Sequence, residues 1–214
     1  MTRKPFFWIL LTVSSVCGIL YFAKNFDNAF PALTVNVKMN REMAIGEAGI
    51  LSKKYNLGPI EYSSAVSFYG DRNLQTFVEL EGGGLDTFKM LYSDSIFHPY
   101  VWRVRHFQEK NPNEVSIWFT PEGRPYSFSQ KLSEDEPGSK LNRDQAYSVA
   151  LESLKDDWYV DIDKYELVDE SEKIQPGGRT DHTFTFQLSG FQMGENGFIK
   201  LKLTVQGDRL GELV

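Results

Sequence analysis

Three histidines (His98, His106 and His182) are the only imidazoles in the chain, and Cys17 is its only thiol. No two histidines stand four residues apart, and no His-Glu-x-x-His pattern occurs. The spacing that would put two zinc-binding imidazoles on one helical face is therefore absent. Serine, aspartate and glutamate are scattered, with no nucleophile elbow and no recognisable pair of carboxylates. The residues assign no catalytic group and no metal ligand. A hydrolase built on His106 or His182 would have to assemble its site from distant parts of the chain.

Two stretches carry weaker signals. In "ELEGGGLDTF", Gly82, Gly83 and Gly84 stand ahead of a helix-like segment, where backbone N–H groups could hold a phosphate. The P-loop lysine and hydroxyl residue are missing, and Glu81 and Asp86 add negative charge, so a tight turn needing positive φ is the simpler reading. "WRVRHF" is the one locally basic strip: Arg103 and Arg105 share a strand face with Phe107. An anionic peptide or lipid headgroup could lie on these guanidiniums. Cross-strand pairing with Glu79, Glu81 or Glu114 would occupy the same groups.

The elements that must position these residues begin with "MTRKPFFWILLTVSSVCGILYFAKNF". From Pro5 to Ala23 no charged residue interrupts the sequence. As a helix it spans roughly 28 Å, close to the hydrocarbon thickness of a bilayer. The run is longer than the apolar region of a signal peptide and lacks a convincing small-x-small cleavage site. The reading is a cytoplasmic tail at 1–4, an uncleaved transmembrane anchor at 5–23 and a juxtamembrane segment at 24–35. Arg3 and Lys4 on the short side place the N-terminus in the cytoplasm and the bulk outside it. The exported part contains no cysteine and no N-x-[ST] sequon, as suits a single-pass protein of the bacterial inner membrane.

Of the 214 residues 41% are hydrophobic and 14% aromatic, enough for one or two small cores beyond the anchor. A net charge of −6 argues against general nucleic-acid binding, which requires a basic face.

Two segments look alike. "NREMAIGEAGILSKKYNLGPIEY" starts at Asn40, and "NRDQAYSVALESLKDDWYVDIDKYEL" starts at Asn142. Each opens with a helix-capping asparagine, and Gln145 three residues after Asn142 completes a capping box. Ala44, Ala48, Leu51 and Tyr55 align with Tyr147, Leu151, Leu154 and Trp158, one helical stripe in each copy. Strand-like stretches follow: "YSSAVSFY", "LQTFVELE", "YVWRVRHF", "EVSIWF" and "YSFSQKL" in the first copy, with a short helix at "LDTFKMLYSDSI". In the second they are "YELVDESEKI", "DHTFTFQL", "GFIKLKLTVQ" and "RLGELV". The expected class is α+β, with a duplicated helix-plus-antiparallel-meander unit at 36–132 and 141–214. The polar "SEDEPGSK" at 133–140 reads as a linker between them. Leu210, Leu213 and Val214 end the sequence on apolar residues, so the chain is expected to be the leading part of a longer protein.

Together "QTFVELEGGG", "YVWRVRHF", "FTPEGRPYSFSQKLSEDEPG", "YELVDESEKIQPGGRTDHTF" and "GDRLGEL" resemble the N-terminal extracytoplasmic region of bacterial CPBP-type intramembrane metalloproteases, the CAAX-processing and bacteriocin-immunity group. Each half more loosely resembles a PepSY-type module. That family's core carries a Glu-Glu-x-x-x-Arg motif and histidine motifs on membrane helices, and none of these occurs here. The resemblance implies a non-catalytic, membrane-tethered domain that senses, binds or positions substrate for a membrane protease in cis or in trans. Zinc would be a cofactor only with the absent protease core. The expected partners are the membrane, a peptide or protein substrate and that protease, with no nucleic acid. The alternatives are a free-standing anchored hydrolase and a structural scaffold.

Overall fold

A computed structural model of the chain describes residues 5–29, 36–84, 87, 98–155, 157–194 and 197–214. It divides into two compact units, Met1–Asn36 and Val37–Val214.

In the first unit, α1 (Pro5–Ala29) is a single helix, and Pro5–Phe26 within it is long and apolar enough to cross a membrane. Its apolar side chains, from Phe6 to Phe22, are exposed. A membrane anchor and a signal sequence both have this form.

The second unit is α+β. Its elements are α2 (Arg41–Tyr55), β1 (Ser63–Gly70), α3 (Arg72–Leu80), β2 (Tyr100–Phe107), β3 (Glu114–Phe119), β4 (Pro125–Lys131), α4 (Arg143–Ser153), β5 (Tyr165–Ile174), β6 (Thr180–Leu188), β7 (Lys200–Gln206) and β8 (Arg209–Leu213). The strands form one antiparallel eight-stranded sheet in the order β1-β2-β3-β4-β8-β7-β6-β5. The halves do not have separate sheets, because β4 and β8 join them through Phe128↔Leu213 and Ser129↔Glu212.

Strand periodicity explains the two faces. Val66, Val104, Ile117, Phe128, Leu213, Leu203 and Phe184 lie opposite one another across seven strands, a continuous apolar row. One residue along, Ala65, Arg105, Ser116, Ser129, Glu212, Thr204 and Thr183 form a polar row on the other face. Ser129 and Thr204 each donate to Glu212 at 3.0 Å, tying that polar row together.

α2 and α4 cover the apolar face. The Asn40 side chain accepts from the Met43 amide, and Asn142 with Gln145 forms the full capping box. The residues at 0% exposure are Ala44 and Ala48 in α2 and Ala146 and Ala150 in α4, with Leu51 and Ser52 of α2 buried beside them. The buried alanines of the two helices are 102 residues apart (146 − 44), as the two caps are (142 − 40), whereas the buried Leu51 and Leu154 keep the expected offset of 103 (154 − 51), so the expected stripe is corrected only at Tyr147 and Leu151. Tyr147 and Leu151 are only half-buried, since the methyl side chains are what lets each helix lie close to the sheet.

Two further expectations are corrected. "LQTFVELE" is not a strand: α3 occupies it, and Val78 packs with Met193, Phe77, Phe191 and Ile199 in a small separate cluster. Gly83 and Gly84 follow with φ of +101° and +81°, the turn geometry expected of them. All but Thr87 of the short helix placed on "LDTFKMLYSDSI" lies outside the described residues. The segment 133–140 is a strap against the β5–β6 hairpin and not a free linker. Arg179, 3% exposed, forms a bidentate pair with Asp181 and donates to the carbonyls of Ser133 (3.2 Å) and Glu136 (3.0 Å). A Cβ on Gly138 would stand 2.7 Å from Arg179 Cγ, and one on Gly177 would run into the Asp135 carbonyl.

Candidate functional site

Where the apolar face continues past the helices, at the end of the sheet, a cavity of about 600 Å³ opens. Its walls come from strand ends: Tyr126 and Ser127 of β4, Leu188 of β6, Leu201 of β7, Leu213 of β8 and Tyr165 at the start of β5. Trp158 and Tyr159, in the loop after α4, complete it. The alternation that turns Phe128, Leu203 and Phe184 toward the helices turns Tyr126, Leu201 and Leu188 into this opening. Arg124, Lys164 and Lys200 line it as well, against one carboxylate, Asp161, whose Oδ2 stands 3.4 Å from Lys164 Nζ. The cavity is thus an apolar and aromatic recess with more cations than anions around it.

Its residues are individually unusual. Trp158 is 3% exposed and packs on Phe128 (4.6 Å between ring centroids) and on Tyr55 of α2 (5.7 Å). The aligned aromatics Tyr55 and Trp158 therefore touch each other and bridge the halves. Asp157 reinforces the bridge, accepting from Lys54 Nζ and Tyr55 Oη at 2.7 Å each. The Lys54 bond, then the Tyr55 bond, hold the Asp157 carboxyl below its ordinary range. Tyr159 has left-handed backbone (φ 54°) and a side chain 75% exposed. An aromatic residue rarely adopts that conformation, which costs on the order of 1–3 kcal/mol and clusters at functional sites. Burial pushes the Tyr126 phenol up, opposed by a hydrogen bond from the His98 backbone. Burial followed by the Asp161 charge pushes the Tyr165 phenol up. His98 is 8% exposed, with its ring edge-on to Tyr126 (4.9 Å) and no partner for Nδ1 among the described residues. Burial, then the Arg124 charge, lowers its affinity for a proton. At neutral pH these groups are uncharged hydrogen-bonding atoms set in an apolar wall.

The residues singled out in the sequence lie elsewhere. Arg103 and Arg105 face the polar side of the sheet, away from the helices and the cavity. Arg105 forms an ion pair with Glu114, donating from Nε and Nη2 to the same oxygen, Oε2, and stacks on Phe107. Arg103 donates twice to Ser116 Oγ (3.2 and 3.0 Å) and lies over the Trp118 ring. Arg105 thus makes the cross-strand pair with Glu114, the alternative to an anion strip. His106 Nδ1 lies 3.0 Å from Ser52 Oγ, a nucleophile-and-base separation, but Ser52 is 4% and His106 1% exposed. No carboxylate joins the pair among the described residues, and it bridges α2 to β2 inside the core. His182 Nε2 lies 2.9 Å from the Leu141 carbonyl oxygen, and its ring stacks on Phe184. No group of three or more His, Cys, Asp or Glu side chains converges as a metal site among the described residues.

Sequence reasoning placed Trp158 on a core stripe and missed the cavity it lines. The one local signal was the exposed aromatic beside it in "DDWYV". Comparison of the chain with protein-family models, with curated proteins and with solved structures returns no match.

Proposed function

We propose that this chain is the membrane-tethered, extracytoplasmic and non-catalytic head of a proteolytic system. On this reading α1 is an uncleaved anchor in a bacterial inner membrane with its N-terminus in the cytoplasm. The unit beyond it, built from a duplicated helix-plus-meander module, holds a segment of polypeptide and positions it for an intramembrane metalloprotease in cis or in trans. The cavity is the observation that carries the binding role. At about 600 Å³ it accepts one or two large apolar side chains, while His98, Tyr126 and Tyr165 offer hydrogen bonds to the backbone that bears them. Arg124, Lys164 and Lys200 favour a segment with acidic flanks. The equal spacing of the two asparagine caps and of the buried alanines, with the mirrored strand order, supports duplication. The protease partner is supported only by the resemblance of the sequence.

The test is photo-crosslinking in membranes of cells expressing the full chain. A photoreactive residue replacing Tyr159 should give polypeptide adducts. These should disappear when Leu188→Trp fills the cavity from the end of β6. Adducts no different from those at Glu109, on an exposed turn away from the cavity, would end the binding reading.

A further inference from the structure

The two edges of the sheet are built differently. β5 carries Glu166, Asp169, Glu170, Glu172 and Lys173, and its register with β6 shifts at Leu167/Asp169. Neighbouring segments reach over it, with Arg143 on Glu170 and Glu134 on Lys173. Charge, bulge and side-chain cover are the devices by which edge strands avoid pairing. Among the described residues β1 has none of them. Ser63 to Gly70 contains no charged residue and no proline, and its register with β2 is unbroken over eight residues. Among the described residues β2 is the only strand paired with it, and an edge strand leaves half its backbone groups facing outward. Phe68 and Tyr69 are 39% and 41% exposed.

We propose that β1 is a self-pairing edge, which joins two copies of this chain antiparallel about a two-fold axis at Ser67. The occupant follows from the order of side-chain sizes along the strand. The small residues Ser63, Ser64 and Ala65 come first and the large Phe68 and Tyr69 last, so an antiparallel second copy sets small against large. With the axis at Ser67, Val66 lies opposite Phe68 and Ala65 opposite Tyr69. The first of these is an aromatic–β-branched pair of the kind that stabilises sheets. An axis at Val66 would instead leave Phe68 opposite Ser64 and Tyr69 opposite Ser63. No charges meet in the chosen register, whereas the same operation about the middle of β5 would place Glu170 against its own copy. The axis stands perpendicular to the sheet, so both copies keep their helices on the same face and their cavities open. The surface is separate from the cavity and does not depend on its ligand.

Cys17 is the only cysteine, so Cys17→Ser leaves a full-length chain without thiols. Single cysteines introduced at positions 64 to 69, and at Glu172 on β5 as a control, are oxidised in membranes and read by mass. Residues directly opposite across antiparallel strands meet the Cα spacing of a disulfide. The dimer of about 49 kDa, twice 24.5 kDa, should therefore peak at Ser67→Cys, with about tenfold the yield at Glu172→Cys. Ala65→Cys and Tyr69→Cys mixed in one membrane should link to each other in preference to themselves. Equal yields at Ser67→Cys and Glu172→Cys would overturn the proposal. So would capture by Ser67→Cys of a polypeptide other than this chain, which would assign the edge to a different partner. Ser67 is exposed and cysteine is close to it in size, so misfolding does not cloud the readout.

Discussion

His106 should make this fold acid-sensitive in a way a single substitution isolates. The ring is 1% exposed, stacked on Tyr62 with centroids 3.9 Å apart, and held at Nδ1 by Ser52. Its cross-strand partners are Ser64 and Val115, and its Nε2 has no partner among the described residues. Among the described residues nothing compensates a positive charge there, and burial lowers its pKa from 6.5 to about 4. The unfolded chain therefore binds this proton first as pH falls, while the folded chain resists it. Stability is intact above pH 6.5 and is lost progressively between 6.5 and 4. Between pH 7 and pH 4.5 the loss is about 2–3 kcal/mol, a large share of the stability of a domain this size. The assay is urea unfolding of the full chain in detergent, followed by tryptophan fluorescence at both pH values, for the wild type and His106→Asn. The carboxylates titrate in both proteins and cancel in the comparison. The wild type should lose about 2–3 kcal/mol more than the variant on acidification. Equal losses would show that His106 is not held neutral by burial between α2 and β2.

Two other substitutions probe the seam and the strap. Trp158→Ala removes the ring that Phe128 and Tyr55 both touch and should cost about 3–5 kcal/mol in the same assay; a cost near zero would place Trp158 outside the core. Asp181→Ala leaves Arg179 buried without its carboxylate and should cost about 3–5 kcal/mol, with 133–140 opened to trypsin. Arg179→Met combined with Asp181→Leu should recover most of that loss, and failure to recover would mean the strap needs the charges themselves.

Much of this architecture is written locally in the sequence. The asparagine caps at 40 and 142 and the alternating strands are short-range patterns, and the structure has helices and strands at those places. The misreadings have physical causes. α3 carries Thr76, Phe77 and Val78, residues that favour strands, but packing of Val78 against Met193 from beyond β6 decides its form. In the second helix Tyr147 and Leu151 read as core because their side chains are large, whereas close approach to the sheet selects Ala146 and Ala150. The strap reads as a linker because its polar composition serves Arg179 through backbone carbonyls, which no sequence pattern reports. The cavity was illegible for a related reason. Its walls come from five strand ends and a loop, each ordinary until the sheet brings them together.

The cavity lies against the weakest join in the fold, a position that would couple any ligand seated there to stability. β4 and β8 share only two residue pairs, so the seam depends on side chains packed over it: Phe128 against Trp158, and Trp158 against Tyr55. Separated, each half would expose one end of the apolar row, at Phe128 or at Leu213, and an unpaired central strand. Ser127 of β4, Leu213 of β8 and Trp158 all line the cavity, so an apolar side chain seated there touches both halves at once. Such a ligand, binding the joined state and not the parted one, would stabilise the seam by RT ln(1 + L/Kd), where L is its free concentration. The left-handed backbone of Tyr159, one residue beyond Trp158, places a strained and exposed aromatic on the wall of that same cavity.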